Sequence, residues 1–207
     1  GIRKTLFYLY AIYVGLTIFE MILLMIGGVS FFDSMLISMS TAATGGFSHL
    51  NSSLATFSLF NKYVVALFMF LFGINFNIYF LMIVMKDVKN ALKSEELKVY
   101  ILMYVSAVIF ILINTYNSFV SFGEALVSSV FHVSSVMTST GFAVGDINIM
   151  PTACRLVVLF LIVVSACAGS TCGGFKISRL LICLKTIKRD VLKVIHPNSI
   201  RTITFEG

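Results

Sequence analysis

Apolar residues run along this chain in stretches long enough, or nearly so, to cross a lipid bilayer. A crossing takes about 20 residues for a hydrocarbon core of about 30 Å. Positions 5–29 form one such stretch, interrupted only by Glu20, and positions 63–85 form another. Positions 99–113 nearly qualify, and 153–184 are apolar again, with small and polar residues intruding at 165–174. A continuous helix over that last stretch would reach roughly 48 Å, well beyond the core. Two shorter stretches, 31–44 and 122–140, each begin with an acid (Asp33, Glu124) and end in Thr-Gly. Such segments predict re-entrant half-helices rather than full spans.

The order span, half-helix, Thr-Gly loop, span therefore occurs over 5–85 and again over 99–187, an internal repeat. Asp33 and Glu124 lie 91 positions apart, and Thr44 and Thr140 lie 96 apart. The second half-helix is thus expected to be about five residues longer. An even number of crossings separates the two units, so both run through the membrane in the same direction.

Composition agrees with this reading and removes others. Hydrophobic residues make up 58% and charged residues 12%, whereas a soluble domain carries about a quarter charged residues. Twenty Phe and eight Tyr stand beside no Trp, so one usual marker of the membrane interface is missing. Of the 15 Lys and Arg, all but Lys62 and Arg155 fall on one side of the proposed topology. The positive-inside rule makes that side cytoplasmic. Membrane topology thus accounts for the net charge of +6, and no nucleic-acid partner is expected.

The Thr-Gly loops carry the chemistry. Irregular backbone at membrane depth is tolerated only when it is buried in protein or lines a wet cavity. Cation filters replace the hydration shell with rings of backbone carbonyls, and glycine reaches dihedrals that let such carbonyls share a direction. Thr44-Gly45-Gly46-Phe47 and Thr138-Ser139-Thr140-Gly141-Phe142 fit that need. Each half-helix would aim its partially negative C-terminal end at the cation, with Asp33 or Glu124 at its positive end. A lone Thr-Gly is an ordinary turn; two copies, each ending an apolar half-helix between spans, point to an ion path. The fold class is therefore an all-α polytopic membrane protein with two tandem M1–pore helix–filter loop–M2 repeats of a potassium-channel-like pore. Residues 1–98 form one repeat with a cytoplasmic linker, and 99–207 the next, with a cytoplasmic C-terminal segment.

The run Ala168-Gly169-Ser170-Thr171-Cys172-Gly173-Gly174 is poor helix chemistry. It predicts an unwound break in the last span, lying below the filter where it would obstruct the path. The plain alternative is small-residue packing, since Gly169 and Gly173 fit a GxxxG pattern. Lys176 and Arg179 follow, either snorkelling to the cytoplasmic interface or supplying electrostatics at a gate. Asp146 would concentrate cations at the outer mouth or form a turn. Glu20 is expected to face protein or lie near the outer surface. Asn75 and Asn77 are expected to hydrogen-bond across helices, and Asn51 matches a glycosylation sequon. Cys154, Cys167, Cys172 and Cys183 show no disulfide or metal spacing and read as small apolar fillers, and the three His are scattered. Beyond transported potassium no metal site is expected, nor a covalently bound cofactor. Catalytic residues are not expected either, because no His, Asp, Glu or Ser cluster converges at membrane depth.

These motifs resemble the Trk/Ktr/HKT superfamily of potassium transporters, most closely its bacterial Trk membrane subunits. The matching residues are Phe32-Asp33, Ser40 to Ser48, Thr138 to Ala143 with Asp146, Cys167 to Lys176, and His196-Pro197. The resemblance implies four repeats around one pore, of which this chain matches the second and third. It implies a filter from Thr44-Gly45-Gly46 and Thr140-Gly141, and an intramembrane gating loop at 168–174. It also implies potassium uptake at the bacterial inner membrane as a multi-pass protein embedded in the lipid bilayer. A homodimer is implied too, with a cytoplasmic nucleotide-binding, TrkA-like regulatory subunit. Ser165-Ala166 and Cys172 depart from glycines usual in that family. The missing repeats would come from sequence beyond this segment, because the chain opens on Gly1 and looks like part of a longer protein. The rival reading is another secondary transporter with discontinuous helices and a midplane substrate site.

Overall fold

Two helices are long and apolar enough to cross a membrane among the described residues, which in this computed structural model are 2–49, 53–145 and 150–195. They are α1 (Ile2–Ile26) and α6 (Glu95–Thr115). Each leads into a shorter helix, α2 (Phe31–Ala42) or α7 (Phe122–Met137). The two short helices start alike. The hydroxyls of Ser30 and Ser121 accept the amides of Asp33 and Glu124 at 3.2 and 3.3 Å. A serine N-cap with an acid in the first turn satisfies a free N–H and complements the helix dipole. At 16 residues against 12, α7 exceeds α2 by about one turn.

The stretch 63–85, expected as one span, is not one straight helix. It divides into α3 (Leu59–Phe72) and α4 (Phe76–Ile83), bent by 90°. The cause is local. Gly73 ends α3 where a Cβ would fall 2.2 Å from the Tyr100 hydroxyl and 3.1 Å from the Thr138 methyl. Asn75 starts α4, its Oδ1 accepting the Asn77 amide at 2.9 Å. That bond is a helix cap, not the link between helices expected of Asn75 and Asn77.

Carbonyls at the end of α3 also meet donors from elsewhere in the chain. Phe70 O accepts from the Tyr100 hydroxyl at 3.0 Å and Leu71 O from the Tyr79 hydroxyl at 2.8 Å. Gly73 O accepts from the Cys167 amide at 3.1 Å. The short helix α5 (Val88–Ala91) then leads to α6.

The final apolar stretch is broken as expected, into α8 (Thr152–Val163) and α9 (Ile177–Ile195). The segment between them is pinched by a two-residue parallel pairing of β1 (Val164–Ser165) with β2 (Phe175–Lys176). This bridge is a small departure from the all-helical expectation. It arises where the chain loops out between α8 and α9 and returns beside itself, pairing backbone groups that the break releases.

Burial divides into two clusters that follow the repeats but share elements across them. One joins Leu24, Ile37, Val65, Phe68 and Phe72 to Phe131 of α7 and Phe142. The other joins Tyr100, Ile111, Met137 and Leu161 to Ile74, Ile78, Cys167 and Cys172. The second half-helix thus packs on α3, and the broken segment of the second repeat packs on the bend of the first. Glu20 is fully buried, so the lone acid of α1 faces protein. Cys154, Cys167 and Cys172 are buried and Cys183 is exposed, all as free thiols. Phe7, Tyr10, Phe19, Leu156 and Phe160 remain exposed, a surface suited to lipid or to further protein.

The packing at Gly73 gives a direct test. Gly73→Ala should cost about 1–3 kcal/mol by overpacking against Tyr100. Combining it with Tyr100→Phe should cost less than the two single changes summed, because the clashing hydroxyl is gone. Thermal unfolding midpoints of the detergent-purified native-length protein measure both; strict additivity would count against the contact.

Candidate ion path: two filter loops and the segment beneath them

The loops after α2 and α7 superimpose in their bonding. The Gly45 amide donates to Ser40 O at 2.8 Å, and the Thr140 amide to Ser135 O at 2.9 Å. The same two serines clamp the far end of each loop. Ser40 Oγ accepts the Phe47 amide at 2.7 Å, and Ser135 Oγ donates to Phe142 O at 2.6 Å. This register matches Gly45 to Thr140, Gly46 to Gly141 and Thr44 to Ser139. The sequence spacing, which matched Thr44 to Thr140, is one residue out. A shared Thr-Gly dipeptide drew that match, whereas the bonding serines set the true one.

Backbone dihedrals repeat in the same register. Thr44 and Ser139 lie in the left-handed region at φ 49° and 58°, and Gly46 and Gly141 at 65° and 86°. The glycines adopt this region freely, but threonine and serine are strained there. Left-handed residues separated by an ordinary one bring successive carbonyls toward a common side, as a cation filter needs. The two loops also meet. A Cβ on Gly46 would fall 1.9 Å from Thr140 O and 3.2 Å from the carbonyl carbon of Gly141. Only glycine permits that approach.

The hydroxyls have unequal roles. Thr138, fully buried, turns back to donate to Ser134 O at 2.6 Å and lies 2.7 Å from the Thr140 hydroxyl. Both side chains therefore brace the second loop from behind. Thr44 reaches away from its own loop and donates to Thr171 O at 3.2 Å. Ser139, its structural counterpart, lies 3.3 Å from the Ser165 hydroxyl, which in turn donates to Met137 O at 3.1 Å. Both strained loop residues thus touch the segment that interrupts the last span.

That segment is held on all sides. Its Gly169 carbonyl accepts the Phe76 amide at 3.1 Å, and the Thr171 hydroxyl and Cys172 thiol both reach Phe72 O, at 3.5 and 3.8 Å. Gly169 and Gly174 have φ of 70° and 77°. A Cβ on Gly174 would lie 2.6 Å from that of Ser165, and one on Gly173 would lie 3.8 Å from that of Ser139. Lys176 does not snorkel: its ammonium turns inward onto Cys172 O and, at 3.4 Å, the Ser170 hydroxyl. Arg179 is exposed. Asp146, Asn51, Arg201 and the His196-Pro197 pair lie outside the described residues. Ser165 and Cys172 each use their side chain as an extra tie.

Glu96 escaped the sequence reading. It is 1% exposed, and its Oε1 accepts the amides of Ala168 and Ser178 at 2.6 and 3.2 Å. Its neighbour Glu95 instead reaches outward to Lys185. In sequence both are acids in the first turn of a helix, which reads simply as a helix start. Nothing in their spacing says that only one faces the break.

The comparisons with known proteins agree with this geometry. Residues 2–207 match the TrkH family, described as cation transport proteins. The chain is 29% identical over 205 residues to the Trk system potassium uptake protein TrkH of Salmonella typhimurium, covering 98% of this chain and 42% of that protein. An uncharacterized cation transporter of Methanocaldococcus jannaschii is 30% identical over 200 residues, with 96% of this chain and 39% of that protein covered. The crystal structure of the potassium transporter TrkH from Vibrio parahaemolyticus superimposes on all of this chain and 45% of that one, with a TM-score of 0.90 at 27% identity. The chain thus spans well under half the length of these relatives. With its tandem re-entrant units, paired filter loops and broken last span, this chain belongs to the TrkH family of cation transport proteins.

Proposed function

We propose that the two loops form two adjacent quadrants of a potassium filter, and that residues 168–174 form the gate beneath it. Dehydrated ions pass Gly45-Gly46 and Thr140-Gly141, where carbonyls stand in for water. The C-terminal ends of α2 and α7 add partial negative charge from behind. Conduction is passive along the electrochemical gradient, and the only substrate is the ion. The observation that carries this reading is the contact between filter and break. Thr44 bonds Thr171 O, and Ser139 lies against Ser165. A segment so placed cannot remain under the filter while ions pass, so it must move or thin. Lys176, folded into the segment, stabilises its closed shape; exposed Arg179 has no such contact in its favour.

The names of the relatives support potassium as the ion and a Trk-type uptake system as the setting. In that setting the remaining quadrants come from the part of the relatives that this chain does not cover. The protein sits in the bacterial inner membrane, works as a homodimer, and answers to a cytoplasmic nucleotide-binding subunit of the TrkA kind. Asp146 would stand at the outer mouth.

Two outcomes test the filter. Gly46→Ala should abolish uptake, because its Cβ lands on the Thr140 carbonyl. Gly141→Ser, whose Cβ position meets nothing within 4 Å, should leave transport but lower potassium-over-sodium selectivity. Rubidium and sodium fluxes into proteoliposomes measure both, and unchanged selectivity in Gly141→Ser sinks the assignment. For the gate, deleting residues 168–174 should raise flux at normal expression, and Ser165→Gly should raise it by a smaller factor. A deletion that folds yet conducts no faster removes the gate from the reading.

A further inference from the structure

The segment under the filter has a narrow neck and a wider tip. At the neck, β1 and β2 pair, and the Ile177 amide donates to Ala166 O at 3.3 Å. The tip, around 169–172, makes the contacts with Thr44, Phe72 and Phe76. Ala168 stands where the chain leaves the neck and Ser178 where α9 begins. A single carboxylate oxygen of Glu96 accepts the amides of both, at 2.6 and 3.2 Å.

From this placement we propose that Glu96 is the fixed post to which the gate is tied. It is a positioning residue that keeps the segment closed and sets how readily it opens. The proposal rests on the gating reading above.

Three physical arguments support it. Glu96 stands in the first turn of α6, whose start is capped by the Ser94 hydroxyl accepting the Leu97 amide at 3.4 Å. The carboxylate therefore sits in the positive field of its own helix and at the first turn of α9. The free amides of a helix start must be met by some acceptor when water is absent, and Glu96 meets one for α9 while holding Ala168 with the same atom. One Glu96 oxygen holds both exits of the segment to α6, at 2.6 and 3.2 Å. The ties of the tip to α3 are longer, the Thr171 hydroxyl and Cys172 thiol reaching Phe72 O at 3.5 and 3.8 Å. Glu95, one residue earlier and exposed toward Lys185, is the internal control, because it shares charge and helix position but not the contact.

Hydrogen–deuterium exchange of the native-length transporter in lipid nanodiscs reads the tie directly, in peptides covering 164–180. Glu96→Ala should speed exchange there by about tenfold or more, the loss of two charge-assisted bonds. Glu96→Gln keeps a neutral acceptor and should fall between, and Glu95→Ala should change nothing in this region. Rubidium uptake, measured in parallel, should rise in Glu96→Ala, rise less in Glu96→Gln, and stay level in Glu95→Ala. Adding Glu96→Ala to the 168–174 deletion should give no further rise. A residue needed only for folding would instead lower flux in both backgrounds.

Unchanged exchange in a folded Glu96→Ala protein overturns the tie. Faster exchange with unchanged flux overturns Glu96 as a gate residue if the deletion still raises flux. If the deletion also leaves flux unchanged, it is the gating reading that fails.

Discussion

Every unusual feature of this chain follows from one constraint: a helix interrupted inside a bilayer must find partners for the backbone groups it releases. In lipid an unpaired N–H or C=O costs several kcal/mol. Here the first repeat breaks at Gly73 and the second at Val164, and the two breaks answer each other. The amide of Cys167 goes to the carbonyl of Gly73, and the amide of Phe76 goes to the carbonyl of Gly169. Tyr79, Tyr100 and Glu96 meet groups that neither break can supply to the other. The aromatic hydroxyls are suited to this work because their rings bury well and their tips donate. The Tyr100 ring also stacks on Phe70 at 5.1 Å, so the donor is fixed before the bond forms.

Much of this was legible in the order of residues. The lengths of apolar runs separated crossing helices from half-helices, and the acids at Asp33 and Glu124 marked where the half-helices start. The Gly-Ser-Thr-Cys-Gly-Gly run announced its own break because so many poor helix formers stand together. The break at Gly73 was not legible. One glycine amid Phe, Leu and Ile reads as tolerable in a span, and only the Tyr100 hydroxyl above it shows why no side chain fits there. The same limit hid Glu96, since burial and direction are decided by what packs around a residue.

The register of the filter loops teaches a related lesson. Matching the two by their Thr-Gly dipeptides is natural, yet the serines that tie each loop to its helix place Thr44 opposite Ser139. Small hydroxyl residues inside an apolar helix look like fillers, but Ser40 and Ser135 set where the carbonyls fall. The two loops are consequently similar in backbone and different in side chain. Gly45 stands in one where Thr140, braced by Thr138, stands in the other.

The reciprocal pairing between the breaks has a mechanical consequence. Gly169 cannot move away while Phe76 stays, unless an amide is left bare in apolar surroundings at a cost of about 1–3 kcal/mol. Phe76 is the first residue of α4, and α4 runs through α5 into the first turn of α6, where Glu96 stands. The segment at 168–174 is thereby tied through backbone bonds to the linker between the repeats. A displacement of α4 is therefore opposed at Gly169, and a displacement at Gly169 is opposed at α4.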